Sequence, residues 1–395
     1  MLSLTRRSTL FGLTTVFASL RASLAFGAAD TERRLVVVNL RGAMDGLAAV
    51  VPYGDPQLKA LRGPLVLASP SQPDGLLDLG GFFGLHPLFV NLHGMYAAGE
   101  LTVIHAVAGP YRERSHFFAQ DLLESGADHR LSSGWLNRAA TALPTRTVAS
   151  KGRNPMAVGG GIPLLLRGPA TVENWAPSNL ATPYADLYTT IAALNASDPL
   201  TGPAIQTGLS SRGFSKEALA DQVAEGGRME FPSLARAAGK LLASPNGPRI
   251  AAMEIGGWDT HAGQNSRVRL PLQRLDEGMG ALREALGPAW NTTAVLVMTE
   301  FGRTVRVNGT GGTDHGTATV AFVMGGAVKG GRVIADWPGL GNGKLFEDRD
   351  LMPTLDLRAV TKALVMEHLG VPAGALDGVF PGSGRVVPVS GLLRA

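Results

Sequence analysis

The chain has 395 residues, of which 45% are hydrophobic and 17% charged, so it can bury a large core as one big domain or two smaller ones. Its net charge is +4, but residues 1–27 hold three arginines and no acid, which leaves +1 for the rest. This balance argues against a nucleic-acid binder, whose phosphate-binding surface needs clustered lysines and arginines. The chain has no cysteine, which excludes disulfides, thiolate zinc sites and a cysteine nucleophile.

Residues 1–27 have the pattern of an export signal. Arg6 and Arg7 precede a moderately apolar stretch at 9–20, and small residues at 25–27 offer a cleavage site. This pattern predicts a twin-arginine signal peptide, the Tat export machinery as a partner, and a mature protein that is periplasmic or secreted. The alternative is a short N-terminal helix with two solvated arginines. Arg21 argues against a stable membrane anchor, since burying its charge is costly.

Apolar, β-branched runs predict buried strands at 35–40, 101–107, 250–255, 294–298 and 319–324. Helical spacing predicts helices at 87–98, 116–124, 270–286 and 357–369. Strands that alternate with helices indicate an α/β protein with a mainly parallel sheet. Residues 145–244 have fewer such runs, so we expect an insertion or cap within a single α/β domain that spans residues 28–395.

Ionisable side chains follow four of the predicted strands or precede the last one. They are Asp45, Arg112, Arg114, His116, Asp259, His261, Glu300 and Arg303, with Asp314 and His315 before the last strand. The carboxyl ends of parallel strands meet at one sheet edge, so these side chains are expected to share a cleft. Clustered carboxylates repel one another unless a cation neutralises them. Carboxylate and imidazole ligands without thiolate predict a catalytic divalent metal, Zn²⁺, Mn²⁺ or a similar ion.

Single members of this set also have simpler interpretations. Asp45 can form a turn through its side chain, and Glu300 can pair with Arg303. The glycines at 312 and 316 favour a ligand site around Asp314, because they let the backbone approach a ligand closely. Taken together, the residues favour shared metal ligation over unrelated turns and ion pairs.

Ser115 is the candidate nucleophile. It follows a predicted strand and begins a predicted helix, whose N-terminus supplies backbone donors to an anion. Arg112 and Arg114 add charge suited to an anionic ester, and His116 is a candidate for proton transfer. The alternative is that Ser115 is only the N-cap of that helix. His105 lies within a predicted strand, where we expect a buried histidine with satisfied hydrogen bonds.

Several ordered motifs give the chain a resemblance to a known family. They occupy residues 40–46, 114–117, 133–138, 257–261, 299–303, 312–316, 336–340, 349–351 and 353–356. With them the sequence resembles the exported bacterial family known as domain of unknown function family 1501, which is similar to the alkaline phosphatase and sulfatase superfamily. The resemblance implies a doubly wound α/β sheet with helices on both faces. It also implies one or two divalent metals and a hydroxyl nucleophile that attacks a phosphate or sulfate ester.

Carried over by position, the resemblance gives roles to several residues. It implies that Asp45 is a first-strand metal ligand, that Ser115 is the nucleophile, and that Asp259 with His261 are ligands after the middle strand. The late-loop ligands fall near Asp314 and His315. Arg303, next to the motif of Glu300, completes the candidate anion-binding set with Arg112 and Arg114.

The sequence departs from the superfamily at two points. Glu300 falls where an Asp is followed by a ligating His, but here the next residue is Phe301, which cannot ligate a metal. A sulfatase would need a Cys/Ser-x-Pro-x-Arg motif, and Ser115 is followed by His-Phe-Phe-Ala. Phosphate-ester cleavage by an unmodified Ser115 is therefore favoured over sulfatase chemistry.

Two functions follow from this reasoning. The first is a metal-dependent hydrolase of phosphate or related anionic esters, with a small-molecule or polymer ester as substrate. The alternative is a non-catalytic exported protein that binds metal or a surface polymer on the same fold. Phe301, in place of a ligand, favours the alternative.

Overall fold

The computed structural model describes residues 32–144, 154–177, 185–199, 201–219 and 230–394. The predicted export signal at residues 1–27 lies outside the described residues. No helix within these ranges combines the length and hydrophobicity needed to cross a bilayer.

A nine-stranded sheet forms the centre of the described structure. Its strands are β1 (Arg34–Arg41), β5 (Leu101–Ala108), β6 (Met156–Val158), β7 (Glu173–Trp175), β8 (Ile250–Gly256), β9 (Thr293–Thr299), β10 (Thr319–Met324), β11 (Arg332–Ile334) and β12 (Leu355–Asp356). The order is β11-β5-β10-β9-β1-β8-β6-β7, and β12 also pairs with β5. A small second sheet contains β2 (Val50–Val51), β3 (Leu77–Asp78) and β4 (Gly84–Leu85).

The α-helices are α1 (Gly46–Ala49), α2 (Leu58–Arg62), α3 (Val90–Ala97), α4 (His116–Ser125), α5 (Trp135–Ala142), α6 (Ala185–Asn195), α7 (Thr201–Ala218), α8 (Phe231–Ala243), α9 (Gln264–Arg267), α10 (Arg269–Leu286), α11 (Leu357–Ala363) and α12 (Leu376–Val379). A π-helical turn, Leu364–His368, continues α11. Short 3₁₀ helices occupy Gly63–Leu65, Leu164–Leu166, Gly287–Thr292 and Ala373–Ala375.

Helices cover both faces of the large sheet. Successive side chains of a strand point to opposite faces, so Val36 of β1 packs in one hydrophobic cluster and Val37 in another. The first cluster includes residues of α8 and α10, and the second includes residues of α5 and α11. This arrangement buries central strands on both sides, which explains their continuous apolar sequence. The expected α/β fold with a mainly parallel sheet is confirmed.

The five predicted strands and four predicted helices are present with small shifts at their ends. The prediction missed the helices α5, α6, α7 and α8 and several short strands, among them the three-residue strands β6 and β7. These two strands lie within residues 145–244, the predicted insertion or cap, and they extend the large sheet beyond β8. The division of the chain into a leader and one α/β domain stays a prediction.

The direction of β10 determines which loops meet. In the described sheet, β10 runs antiparallel to both β5 and β9, whereas the other neighbouring pairs are parallel. The loop that precedes β10 therefore lies at the edge where β1, β5, β8 and β9 end. Residues 312–316 reach the other candidate residues for this reason.

Glu124 on α4 is buried and gives the fold a specific pH dependence. Its carboxylate accepts hydrogen bonds from Leu165 N at 2.9 Å and Asn39 Nδ2 at 3.2 Å. Burial raises the pKa of Glu124 from 4.5 to about 7. The folded protein therefore keeps a proton here that the unfolded chain releases. The resulting stabilisation is full below pH 4.5 and is lost as pH rises through 7.

We expect Glu124→Gln to remove this pH dependence. Between pH 4.5 and 7, the free energy of unfolding of the wild type should fall by about 3 kcal/mol relative to the variant. Urea unfolding of both proteins at pH 5 and pH 8 measures the difference. Parallel stability profiles for the two proteins would contradict the account of Glu124.

Candidate metal centre

Four potential ligand atoms converge at the carboxyl edge of the sheet. His116 is the first residue of α4, Asp259 and His261 follow β8, and His315 precedes β10. His261 Nε2 lies 3.1 Å from Asp259 Oδ1 and 3.0 Å from His315 Nε2. Asp259 Oδ1 lies 3.4 Å from His315 Nε2 and 3.6 Å from His116 Nε2. Each of these four distances is near the about 3.3 Å that separates ligands on a tetrahedral zinc-like ion. The group in which all ligand atoms lie within 4.8 Å of one another contains His116, Asp259 and His315, and His261 lies beside it.

The three imidazoles are held in one orientation by acceptors on their other ring nitrogens. The contacts are His116 Nδ1 to Glu300 Oε1 at 2.8 Å, His261 Nδ1 to Asp314 Oδ1 at 3.1 Å, and His315 Nδ1 to the Arg114 carbonyl at 2.8 Å. Because carboxylates and carbonyls only accept, we assign the hydrogen to Nδ1 in each ring. The Nε2 atoms are then free to accept or to ligate, as in metal-binding histidines with carboxylate or carbonyl partners. His261 Nε2 also lies 3.4 Å from Arg303 Nη1.

A buried atom without a partner supports the fit of a metal ion. His116 Nε2 is buried and has no hydrogen-bond partner among the described residues. Ligand atoms of His116, Asp259 and His315 all lie within 4.8 Å of one another. An unsatisfied buried polar atom costs about 1–3 kcal/mol, which coordination would remove. Imidazole nitrogens with one carboxylate oxygen are a donor set that suits zinc and similar ions.

Glu300 lies beneath His116 and carries a negative charge. Besides His116, its carboxylate accepts hydrogen bonds from Gly42 N at 2.9 Å, Gln120 Nε2 at 3.1 Å and Thr299 Oγ1 at 2.8 Å. Burial favours a raised pKa, but these hydrogen bonds together hold the pKa of Glu300 below its ordinary value. The hydrogen bond between His116 and Glu300 also raises the pKa of His116, although burial acts in the opposite direction. Glu300 therefore orients and polarises His116, and the structure does not place it in the converging set.

Arg303 is buried beside Asp259. Its Nη2 donates to Asp259 Oδ1 at 2.5 Å, and its Nε donates to the Ala43 carbonyl at 3.0 Å. Further contacts reach the carbonyls of Thr313 at 3.2 Å and Trp258 at 3.3 Å. Although burial opposes the charge on Asp259, the Arg303 guanidinium keeps the pKa of that carboxyl below its ordinary value. The structure thus pairs Arg303 with Asp259, and its role in binding a substrate anion stays a prediction.

Phe301 fills the space beside two of the imidazoles. Its ring centroid lies 5.0 Å from that of His116 and 5.1 Å from that of His315, and the side chain is buried. An apolar ring at this position provides no ligand. Within the described residues, one group of side chains is a candidate site for a metal ion.

Two glycines allow the late loop to reach the centre. A Cβ at Gly312 would lie 2.3 Å from the His261 carbonyl, and one at Gly316 would lie 2.5 Å from the Arg303 carbonyl. Glycine was expected here to let the backbone approach a ligand. The close approach in the structure is instead to the backbone of two residues of the centre, which brings Asp314 and His315 into place.

Asp45 is engaged by groups other than the candidate ligands. It caps α1 by accepting from Leu47 N at 3.0 Å, and its Oδ2 accepts from Arg62 and, at 2.5 Å, from Gln264 Nε2. The side chains of Asp45 and Arg62 are almost completely buried. The structure brings Asp45 together with these donors, and Asp45 is not in the group that could hold a metal among the described residues.

Ser115 directly precedes His116 at the N-cap position of α4. Its backbone is extended, with φ −97° and ψ 121°, and its side chain makes no capping hydrogen bond to the described residues. The Ser115 hydroxyl therefore does not cap α4 through a hydrogen bond to the described residues. Ser115 keeps its predicted role as nucleophile, which stays a prediction.

The two arginines before Ser115 are engaged by other groups. Arg112 Nη1 donates to the carbonyls of Gly109 and Tyr111. Arg114 pairs with two acids, Glu347 and the buried Asp350. Their proposed binding of a substrate anion stays a prediction.

Sequence reasoning missed three polar residues of this region. Gln120 bonds to Glu300, Thr299 bonds to Glu300, and Asp350 accepts from Arg114. Gln120 lies four residues, about one helical turn, after His116, so their side chains are neighbours on one face of the helix. This spacing in the predicted helix is the signal that indicates Gln120. Thr299 and Asp350 belong to the motifs at 299–303 and 349–351, which carry the family resemblance. Nothing in the local sequence of Asp350 indicates its burial.

The fold and this centre define an α/β protein with a candidate histidine–aspartate metal site. Residues 106–380 match the family described as protein of unknown function (DUF1501), and the chain belongs to this family. This result confirms the resemblance seen in the sequence. No curated protein matches the sequence significantly.

Several solved structures resemble the chain at a distance. The C-terminal periplasmic domain of EcEptC from Escherichia coli, in complex with Zn, is 9% identical, with 76% of this chain and 75% of that chain covered and a TM-score of 0.35. BT1596, a 2-O GAG sulfatase, is 10% identical over 92% and 74%, with a TM-score of 0.37. A putative sulfatase from Bacteroides thetaiotaomicron is 9% identical over 89% and 75%, with a TM-score of 0.37. Because these scores are below 0.5, the function proposed for this chain rests on its own residues.

Proposed function

We propose that the protein is an exported, metal-dependent hydrolase of phosphate or related anionic esters. The observation that supports this proposal is the convergence of ligand atoms from His116, Asp259 and His315, with His261 Nε2 3.0 Å from His315 Nε2 and 3.1 Å from Asp259 Oδ1. The acceptors on the three Nδ1 atoms make the arrangement that of oriented metal ligands. Zn²⁺, Mn²⁺ or a similar divalent ion suits this donor set.

Each residue has a defined task in this proposal. The four converging residues hold the ion, which when bound polarises an ester oxygen and lowers the pKa of a nearby hydroxyl. Ser115 supplies the hydroxyl that attacks phosphorus and displaces the alcohol, which takes up the proton lost from the hydroxyl. Water then cleaves the serine–phosphate bond and releases phosphate. The first backbone N–H groups of α4 have no intrahelical partner and stabilise the developing negative charge. His116, expected from the sequence to transfer protons, is a ligand here, and Glu300 fixes its ring.

Export completes the proposal. It is based on the arginine pair and apolar stretch within residues 1–27, and it places the mature protein in the periplasm or outside the cell. Cell fractionation of the full chain tests this part.

Phe301 favours a second candidate function, a non-catalytic exported protein that binds metal or a surface polymer. The ring occupies a position where the superfamily has a ligand, and it packs on His116 and His315. A metal site of this kind is able to bind an anionic group without turning it over. Both functions predict a protein that holds a metal ion, but only the first predicts that the protein hydrolyses esters.

We expect Ser115→Ala to abolish turnover and to leave the bound metal unchanged. Loss of the attacking hydroxyl should lower kcat by roughly 10³-fold or more, since no other described group replaces it. The measurement combines elemental analysis with a panel of phosphomonoesters, phosphodiesters and sulfate esters.

The matched control is Ser132→Ala, which removes an exposed hydroxyl outside the centre. If Ser115→Ala hydrolyses the esters as fast as the wild type, Ser115 is not the nucleophile. A wild-type protein that holds metal but hydrolyses none of the esters would favour the binding function.

A further inference from the structure

Asp350 is a completely buried acid that holds two arginines. Its Oδ2 accepts hydrogen bonds from Arg114 Nε at 2.9 Å and from Thr317 Oγ1 at 2.8 Å. Its Oδ1 accepts from Arg349 Nε at 2.9 Å. A carboxylate stays charged in the interior only where such partners compensate its charge. Asp350 therefore fixes the positions of the Arg114 and Arg349 side chains.

Both arginines also contact His315. The Nδ1 of His315 donates to the Arg114 carbonyl at 2.8 Å, and Arg349 Nη2 donates to the His315 carbonyl. The first contact holds the imidazole ring, and the second holds the backbone of the same residue. One buried carboxylate is thus linked through two arginines to a member of the candidate metal group.

The backbone of Arg114 needs external support. Its φ is 62°, in the left-handed region, which is unfavourable for a residue with a side chain. Such a conformation persists only where surrounding contacts hold it. The Arg114 side chain pairs with the buried Asp350 and with the exposed Glu347. Because an exposed ion pair contributes little, the pair with Asp350 provides most of this support.

We propose that Asp350 is a positioning residue of the metal centre, which holds the His315 ring through Arg114 and the His315 backbone through Arg349. This inference rests on the proposed function, in which His315 is a ligand. While the Arg114 carbonyl is in place, His315 carries its hydrogen on Nδ1, and its Nε2 is left to ligate an ion. Without Asp350, the Arg114 backbone relaxes and this acceptor moves away. The ring then loses its single tautomer, and metal binding weakens.

The tautomer of His315 tests the proposal without metal or turnover. The chain has eight histidines, so the His315 ring signals in an NMR spectrum of the ¹⁵N-histidine-labelled full chain can be identified by their loss in His315→Ala. At pH 8 the wild type should show the tautomer with hydrogen on Nδ1. Asp350→Asn should show a mixture of both tautomers. Its zinc dissociation constant, from competition with a chelator, should be about 10-fold higher or more.

A second variant covers the case in which Asp350→Asn does not fold, which circular dichroism reports. Arg114→Lys keeps a positive charge beside Asp350 but lacks the planar fork that reaches both acids, so it should fold and show the same changes to a smaller extent. The matched control is Arg306→Lys, since Arg306 is exposed and donates to the Asp348 carbonyl at 2.8 Å. It should keep the wild-type tautomer and zinc affinity.

The outcomes separate this inference from the proposed function. A wild-type tautomer or a wild-type zinc dissociation constant in folded Asp350→Asn, or in Arg114→Lys where the first variant does not fold, would overturn the role of Asp350. Hydrogen on Nε2 of His315 in the wild type would also overturn it. If the wild type binds no zinc but the tautomer changes as expected, the proposed function fails and the positioning of His315 by Asp350 stands.

Discussion

Replacing His116 by alanine is expected to lower the zinc affinity of the protein by about 100-fold or more. Loss of the hydrogen-bond partner of a ligand already costs 10- to 100-fold in metal affinity, and His116→Ala removes a ligand atom. Competition with a chelating indicator measures the dissociation constant, and elemental analysis measures the stoichiometry. The change breaks the hydrogen bond of His116 Nδ1 to Glu300. The metal-free variant should remain folded, because Glu300 keeps the hydrogen bonds from Gly42, Gln120 and Thr299.

Two further variants make this result specific. His129→Ala is the matched control, since His129 is exposed and pairs with the neighbouring Asp128. It should keep the affinity of the wild type. Glu300→Gln should give an intermediate loss of roughly 10-fold to 100-fold, because it weakens the orientation of His116 and removes no ligand. An unchanged dissociation constant in His116→Ala would contradict the proposed centre.

Arg62→Met is expected to lower the free energy of unfolding by about 3–5 kcal/mol. The substitution leaves the Asp45 carboxylate buried without its charged partner, while both side chains are nearly inaccessible to solvent. Urea unfolding of the variant and the wild type measures the effect. Replacing both residues, as in Arg62→Met with Asp45→Asn, should recover much of the stability, because it removes the uncompensated charge.

The same pair decides the role of Asp45, which the family resemblance makes a metal ligand. With its oxygens engaged by Leu47, Arg62 and Gln264, Asp45 has a structural task in this geometry. Asp45→Asn should therefore lower stability and leave the zinc dissociation constant unchanged. A loss of zinc affinity similar to that of His116→Ala would show that Asp45 ligates the ion.

Much of the central sheet was predictable because its strands are buried on both faces. Residues 35–40 and 294–298 are continuous apolar runs for this reason, and both are strands. His105, expected to be a satisfied buried histidine, bonds to the Val50 carbonyl at 3.0 Å and to Ala106 N at 2.8 Å. The last two strands at one end of the sheet, β6 and β7, have three residues each, which is too short for a hydrophobic period to be recognised.

The neighbourhood of the centre was predictable, but the contacts that its members make were not. Strand ends brought Asp259, His261 and His315 to one edge, as expected. Glu300 and Asp314 were expected to be ligands, and the structure places each against the Nδ1 of a histidine. Which oxygen or nitrogen faces the centre depends on side-chain rotamers and on the direction of β10, and neither leaves a pattern in the sequence.

The most direct test of the central claim is the zinc K-edge X-ray absorption spectrum of the full chain loaded with one equivalent of zinc. We predict one tightly bound ion with three imidazole nitrogens and one carboxylate oxygen at about 2.0–2.2 Å. The His129→Ala protein should give the same spectrum, and His116→Ala should show one imidazole fewer or no bound zinc. A wild-type protein that binds no zinc, or binds it with fewer than two imidazoles, would contradict the assignment of this centre.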